Sequence, residues 1–297
     1  MEVPIEHHER VVGSLRGALL VLFAFLIMAV FQFGPFAGQK PAPAGHYLRG
    51  EEAFIAAPKH EGEEAVIIPI EKVLFEYIEV VDGCGPYFNG ACLNVRSGPG
   101  EEYPVVTQLR NGIVLKVGGK VEQNGHTWYK IIFDEWLRYP ERIAGDWYVA
   151  ADYVRVLLNE GNRDLIDRVL SASTKRIIVD RSEQTLYAYE GDELFMEEPI
   201  STGIELTPTP RGVFTVFKKT PSRYMQGPIP GISEKFYDLP GVPWNLYFTH
   251  EGAVIHGTYW HENFGKPSSN GCVNLRPATA EKLYAWADVG TRVIVRD

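Results

Sequence analysis

His256 and Cys272 stand sixteen positions apart near the C-terminal end of this 297-residue sequence. A thiol has an ordinary pKa of about 8.5, so only a few per cent is thiolate at neutral pH. A nearby imidazole can take its proton during attack. The stretch AVIHGTYWHENFGKPSSNGCVNLRP holds both residues. If Ala253–His256 is a strand, Val254 and His256 share one face. The loop 257–270 then turns back and brings Cys272 beside His256. Gly271 has no side chain, so a substrate carbonyl can approach the backbone there. Consecutive N–H groups at Asn270, Gly271 and Cys272 offer an oxyanion hole. A backbone carbonyl after His256 can orient its ring without an acidic third residue.

One His and one Cys also fit a buried structural pair or a metal site. His250, His256, His261 and Cys272 supply zinc-type ligands. Their spacing contains neither Cys-x-x-Cys nor His-x-x-x-His, so no metal is expected. No cofactor is implied.

Three cysteines occur, and Cys84 and Cys92 bracket a Gly/Pro/Asn-rich turn. If they pair, the closed loop of about nine residues is worth roughly 2.5 kcal/mol in the loop-entropy model. Such a bridge persists in an oxidising compartment. Cys272 is then the leftover thiol, a candidate for reactivity.

Export agrees with the N-terminus. Gly17–Gln39 carries no charge and includes ALLVLFAFLIMAVF. Its length suits a membrane-spanning anchor. The Ala-x-Ala pattern ending at Ala44 suits a cleaved signal instead. Arg10 and Arg16 favour a cytoplasmic N-terminus. The expected location is the cell envelope, outside the cytoplasm. The net charge of −9 and the lack of a basic stripe argue against a nucleic-acid partner. No protein partner is inferable.

The elements that must position the pair lie downstream of a Pro/Gly/Glu-rich tether. The expected organisation is a short cytoplasmic segment (1–16), the apolar anchor (17–39) and the tether (40–72). A small β barrel (73–157), a connector helix (158–174) and a β-rich C-terminal domain (175–297) follow. In the barrel region, LNVRSGPG, YPVVTQL, IVLKV, TWYKIIF and DWYVAADYVRV read as short strands with turn punctuation. DEWLRYPERIAG looks like an insertion before the last strands. In the C-terminal region, RIIVDRSEQTLYAYEGDELF reads as a hairpin and NLYFTHEGAVIHG as two strands. ATAEKLYAWAD reads as a helix beginning near Pro277, and GTRVIVRD as a closing strand. The fold class is mainly β, with short helices.

The run Asn94–Gly100, the Leu109–Gly112 turn, Trp128-Tyr129 and Trp147–Val149 resemble the bacterial SH3-like domain. Members of that family often bind cell-wall material; a spacer barrel without a ligand fits equally well. The C-terminal region resembles the L,D-transpeptidase (YkuD-type) family. The matching residues are His256, Ser269, Gly271, Cys272, Val273 and Asn274, supported by VDRSEQTLYAY, STG, TPTPRGVF, YDLPGVPW and HGTYWHENFG. NlpC/P60 peptidases are excluded by chain order, because no histidine follows Cys272.

The resemblance implies that Cys272 attacks the carbonyl after the third residue of a peptidoglycan stem tetrapeptide. His256 is then the general base, and the Gly257 carbonyl orients its ring. Ser269 supports the nucleophile loop. Tyr224 and Met225 are expected in a loop over the cleft, and Tyr259 and Trp260 along its wall. His261, Asn270 and Asn274 are expected as substrate contacts. Asn270 departs from the family, which has histidine there. Two other readings stay open: an L,D-carboxypeptidase on the same stems, and a catalytically dead wall-binding protein.

Overall fold

The computed structural model describes residues 54–56, 67–74, 76–82, 90, 92–158 and 174–297. The apolar segment Gly17–Gln39, Cys84 and most of the expected connector helix lie outside these residues. Among the described residues no helix is long and apolar enough to cross a membrane.

Within the expected tether, β1 (Phe54–Ala56) and β2 (Ile67–Pro69) pair antiparallel. Seven strands follow. They are β3 (Tyr77–Val80), β4 (Leu93–Arg96), β5 (Val105–Leu109), β6 (Val114–Gln123), β7 (His126–Ile131), β8 (Trp147–Ala150) and β9 (Val154–Leu157). They form one sheet in the order β5-β4-β8-β7-β6-β3-β9. Period-2 alternation explains the inside: β4 buries Leu93 and Val95 and leaves Asn94 and Arg96 at the surface side. Ile78, Val95, Leu115, Trp147 and Val149 fill the core of this sheet.

The C-terminal region has two sheets. The first contains β10 (Lys175–Asp180), β11 (Thr185–Glu190), β12 (Glu193–Pro199), β13 (Gly212–Thr215) and β18 (Arg292–Arg296). The second contains β14 (Lys218–Ile229), β15 (Ser233–Tyr247), β16 (Val254–Gly257) and β17 (Val273–Leu275). Their orders are β12-β11-β10-β18-β13 and β14-β15-β16-β17. One core joins both sheets, with Ile177, Val179, Val293, Leu246, Ile255 and Val273 inside it. Burying each of these aliphatic side chains stabilises by roughly 1.5–3 kcal/mol.

The helix α1 (Pro277–Trp286) buries Ala280, Leu283 and Tyr284 against this core. Pro277 sits in its first turn, where a missing N–H costs nothing. Its C-terminal carbonyls are closed by a buried lysine. Lys219 Nζ donates to the carbonyls of Tyr284 (2.6 Å) and Ala287 (2.5 Å). A cation there also complements the negative end of the helix. This fixes α1 against β14 and so fixes the ground on which β16 and β17 rest.

The sequence expectation of a loop around Tyr224 is corrected here. SRYMQGPI belongs to β14, half of a long antiparallel hairpin with β15. The barrel packs against that hairpin. Gly241 has φ +62, and a Cβ there would meet the Val114 carbonyl at 2.5 Å, so the close approach requires glycine. Ser222 Oγ donates to the same carbonyl at 2.6 Å. The insertion 134–145 docks further along β14. Glu135 Oε1 accepts from the Tyr224 N–H (2.8 Å), and Gln226 exchanges two hydrogen bonds with the Tyr139 backbone (2.8 and 2.9 Å). Tyr139 Oη donates to the Pro228 carbonyl at 2.8 Å, and Arg142 donates to the Gly227 carbonyl at 2.6 Å.

Candidate active site

His256 lies in β16, a strand buried along its whole length. β16 pairs antiparallel with β15 and parallel with β17. The run VIHG is therefore interior, and His256 is only 1% exposed. Its Nδ1 lies 2.9 Å from the Gly257 carbonyl. A carbonyl only accepts, so Nδ1 carries the ring proton and Nε2 keeps its lone pair. Thr258 Oγ1 stands 3.4 Å from the same nitrogen. The Trp260 ring lies beside the imidazole, with centroids 5.7 Å apart. Gly257 is small for a second reason: a Cβ there would come within 2.8 Å of Pro243 and 3.1 Å of Pro277.

His256 and Asn274 are register partners on β16 and β17. Two residues back along both strands, Cys272 comes level with Val254. Val254 and His256 share a face, as do Cys272 and Asn274. The thiol is thus a diagonal neighbour of the imidazole. Cys272 is a free thiol, half-buried, with Sγ 3.8 Å from the Gly252 carbonyl.

Burial dominates the electrostatics of both groups. It pushes His256 down to about 4, partly opposed by the Gly257 hydrogen bond, with the charges of Arg223 and His261 adding to the fall. It pushes the Cys272 thiol up, against the pull of Arg223 and a hydrogen bond from the Val254 backbone. Both shifts favour a neutral thiol and a neutral imidazole over a thiolate–imidazolium pair.

The loop carrying Cys272 is clamped by the segment 200–204. Ser268 and Ser269 N–H groups donate to the Thr202 carbonyl, and Asn274 and Ser201 exchange backbone hydrogen bonds. Ser269 is buried. Its Oγ donates to the Cys272 carbonyl at 2.6 Å and accepts from the Gly271 N–H at 3.1 Å. The Gly271 N–H is therefore engaged, which leaves the N–H groups of Asn270 and Cys272 for the oxyanion hole expected from the sequence. Gly271 has φ +109, a conformation that demands glycine, although space for a Cβ exists.

Cys272 opens on a cleft of about 610 Å³, within the size range of ligand pockets. Asn270, Gly271, Tyr224 and Met225 line it. Trp260, His261, Ser269 and Asn274 do not line it. Asn274 is buried, and its amide lies 2.9 Å from His261 Nε2. The Asn263 N–H donates to His261 Nδ1 at 3.1 Å, so the ring proton sits on Nε2. The amide is then best read with its oxygen, otherwise without a partner, turned towards that proton. These two residues brace the loop beneath the thiol. Tyr259 donates to the Pro240 carbonyl at 2.6 Å and packs with the barrel core.

Several cleft residues went unread in the sequence, among them two arginines and a tryptophan. Arg223 on β14 faces the cleft, as do Trp136 and Arg138 from the barrel insertion. A lone arginine inside a proline-broken stretch carries no motif. The placement of the insertion depends on hydrogen bonds to β14 that span 85–89 residues of sequence.

Comparison with known proteins agrees with both resemblances. Residues 174–295 match the family model described as the L,D-transpeptidase catalytic domain, YkuD. Residues 91–155 match the bacterial SH3 domain. A Bacillus licheniformis protein, provisionally named L,D-transpeptidase YkuD, is 32% identical over 125 residues, covering 40% of this chain and 64% of the relative. Bacillus subtilis YqjB, likewise provisionally named an L,D-transpeptidase, is 31% identical over 107 residues, covering 33% and 57%. The chain thus spans less than two thirds of the length of these relatives. Among solved structures, an Enterococcus faecium L,D-transpeptidase mutant is 27% identical, covering 41% of this chain and 50% of that one at a TM-score of 0.38.

Proposed function

We propose that this chain is an envelope L,D-transpeptidase that cross-links peptidoglycan stem peptides through a thioester on Cys272. One observation carries the reading. A free thiol at the head of β17 opens on a cleft and lies diagonal to an imidazole whose Nδ1 is tied to the Gly257 carbonyl. The family match of residues 174–295 supplies the substrate class.

The chemistry follows from the protonation states. Moving the proton from thiol to imidazole in the resting site is uphill, because burial penalises both charged forms. The proton therefore transfers to His256 Nε2 as Sγ bonds to the scissile carbonyl carbon. The oxygen takes the negative charge and meets the N–H groups of Asn270 and Cys272. The C–N bond then breaks, and His256 returns the proton to the departing amine. The amine of a second stem attacks the thioester, gives up a proton to His256, and restores the thiol. Two neutral groups in a half-buried site make this cycle free of any stable ion pair.

The envelope location is part of the proposal. It rests on the apolar run Gly17–Gln39, whose length suits a membrane anchor. Ser269, His261 and Asn274 act as supports of the nucleophile loop.

Incubation with disaccharide-tetrapeptide, followed by mass analysis, tests the reading. Cross-linked dimer is the expected product, and Cys272→Ala abolishes it. Tripeptide alone would make the chain an L,D-carboxypeptidase, with water resolving the thioester. No product and no carbapenem adduct on Cys272 would leave a wall-binding protein.

A further inference from the structure

Arg223 is a cation without a partner. It lines the cleft together with Cys272, and its charge acts on the thiol, on His256 and on Glu135. Among the described residues it makes no ion pair and no hydrogen bond; the Tyr247 ring lies 5.5 Å from its guanidinium. Arg181, comparably shielded, is matched: it meets Asp297 at 3.2 Å and the Thr209 carbonyl at 2.9 Å. A guanidinium on a cleft wall whose donors meet no protein acceptor has them available to a ligand.

The cleft repeats the signal. Arg138, from the barrel insertion, rests over the exposed Trp136 ring at 5.4 Å and makes no ion pair among the described residues. Against these two cations the cleft lining offers one carboxylate, Glu251. A locally positive cleft on a chain of net charge −9 calls for an anionic ligand.

We propose that Arg223 binds the α-carboxylate of the residue that Cys272 expels from the donor stem, with Arg138 and Trp136 closing the outer side of that subsite. The inference rests on Cys272 being the nucleophile. The expelled residue's carboxylate is the negative group nearest the scissile carbonyl, a single residue beyond it, where consecutive Cα atoms are about 3.8 Å apart. A planar fork matches a carboxylate with two parallel hydrogen bonds. The barrel insertion thus belongs to the substrate site. Its hydrogen bonds to Tyr224, Gln226 and Gly227 hold Arg138 and Arg223 along one arm.

The test compares disaccharide-tetrapeptides with a free C-terminus, with that terminus amidated, and with any side-chain carboxylate of the third residue amidated. Thioester formation is followed by intact mass. Amidation of the C-terminus is expected to lower kcat/KM of the parent by about 10–100-fold, the range for a charged hydrogen bond. Arg223→Gln loses the same factor on the free acid and nothing further on the amide, and Arg223→Lys recovers part of it. Equal rates for acid and amide on the parent would overturn the inference and leave the Cys272 chemistry standing. Selective loss on side-chain amidation would also overturn it, assigning Arg223 to the other carboxylate. Absence of a thioester with every substrate and with a carbapenem would remove the underlying reading, and this inference with it.

Discussion

The carbonyl of Gly257 lies 2.9 Å from Nδ1 of His256, its own neighbour in the chain. In the proposed mechanism that contact takes the place of an acidic third residue. It fixes the tautomer and leaves Nε2 to take a proton. His256→Gln keeps the volume but has no such basic nitrogen. It is expected to slow acylation at neutral pH by about 10²–10⁴-fold, the usual range for general-base help. Single-turnover thioester formation measures this. An unchanged rate would place the base elsewhere.

Burial sets the pH range of the reaction. An exposed histidine would lose its base function below about 6.5. His256 is held down to about 4, so it remains neutral and competent well below that. The acid limb of the acylation rate is expected near pH 4, with a plateau through pH 6.5. The same shift has a cost in stability. Between about 6.5 and about 4 the unfolded chain binds a proton that the folded state refuses, so stability falls as pH drops across that window. A rate profile with its acid limb at 6.5 would mean an open, solvated His256.

Ser269 carries a different burden. Its hydroxyl donates to the Cys272 carbonyl and accepts from the Gly271 N–H, so it closes the turn on which the thiol stands. Ser269→Ala orphans a buried donor and weakens a carbonyl's set of partners. A loss of about 1–3 kcal/mol in unfolding free energy is expected. Acylation should slow as well, through kcat rather than KM, because the loop and not the cleft is altered. Denaturant unfolding alongside acylation kinetics checks both. A variant as stable and as fast as the parent would reduce these hydrogen bonds to bystanders.

Much of this site was readable before any coordinates, for identifiable reasons. β16, β17 and β18 are short apolar runs bounded by glycine or polar turns, and Pro277 announces α1. His256, Gly257 and Cys272 sit in or beside such runs, so their juxtaposition followed from strand alternation. The β14–β15 hairpin hid itself. Pro221, Gly227, Pro228, Pro240, Gly241 and Pro243 all lie within it, and each lowers strand propensity. The fold absorbs them because β14 is an edge strand with register shifts at Arg223/Met225 and Gly227/Ile229. β15 pairs with β16 only at Leu246 and Tyr247, beyond its prolines. Arg223 was lost with the hairpin. Trp260 and His261 lie off the cleft lining, beside the imidazole and against Asn274, a placement that residue type alone does not reveal.

Glu135 joins the barrel insertion to this hairpin through the Tyr224 N–H. Burial lifts its pKa to about 7, well above the usual carboxylate range. Between about 4.5 and about 7 the folded state keeps a proton that the unfolded chain has released. Stability therefore falls as pH rises through that window and stays at the lower level above it. Glu135→Gln retains an acceptor oxygen without the charge. It is expected to be more stable than the parent at pH 8, with the difference vanishing towards pH 4.5. Denaturant midpoints at pH 4.5, 6 and 8 decide this. A difference that does not change with pH would show that Glu135 is solvated.

Asn270 is the position where the chain departs from the family it resembles. It lines the cleft, half-buried, and its side chain makes no hydrogen bond among the described residues. The chemistry asks only for its backbone N–H, which any residue other than proline supplies. The base proposed for the thiol, His256, lies one strand away, and the thiol's loop is held by Ser269 and by the segment 200–204. An amide in place of an imidazole therefore changes what the cleft wall offers a substrate while leaving the thiol, its base and the loop as they are. Asn270→His should keep thioester formation within about tenfold of the parent, a barrier change near 1.4 kcal/mol. KM for the stem peptide should move more than kcat, because the side chain lies on the cleft wall. If the parent forms no thioester while Asn270→His forms one, the native asparagine silences the site, and the chain would be a wall-binding protein.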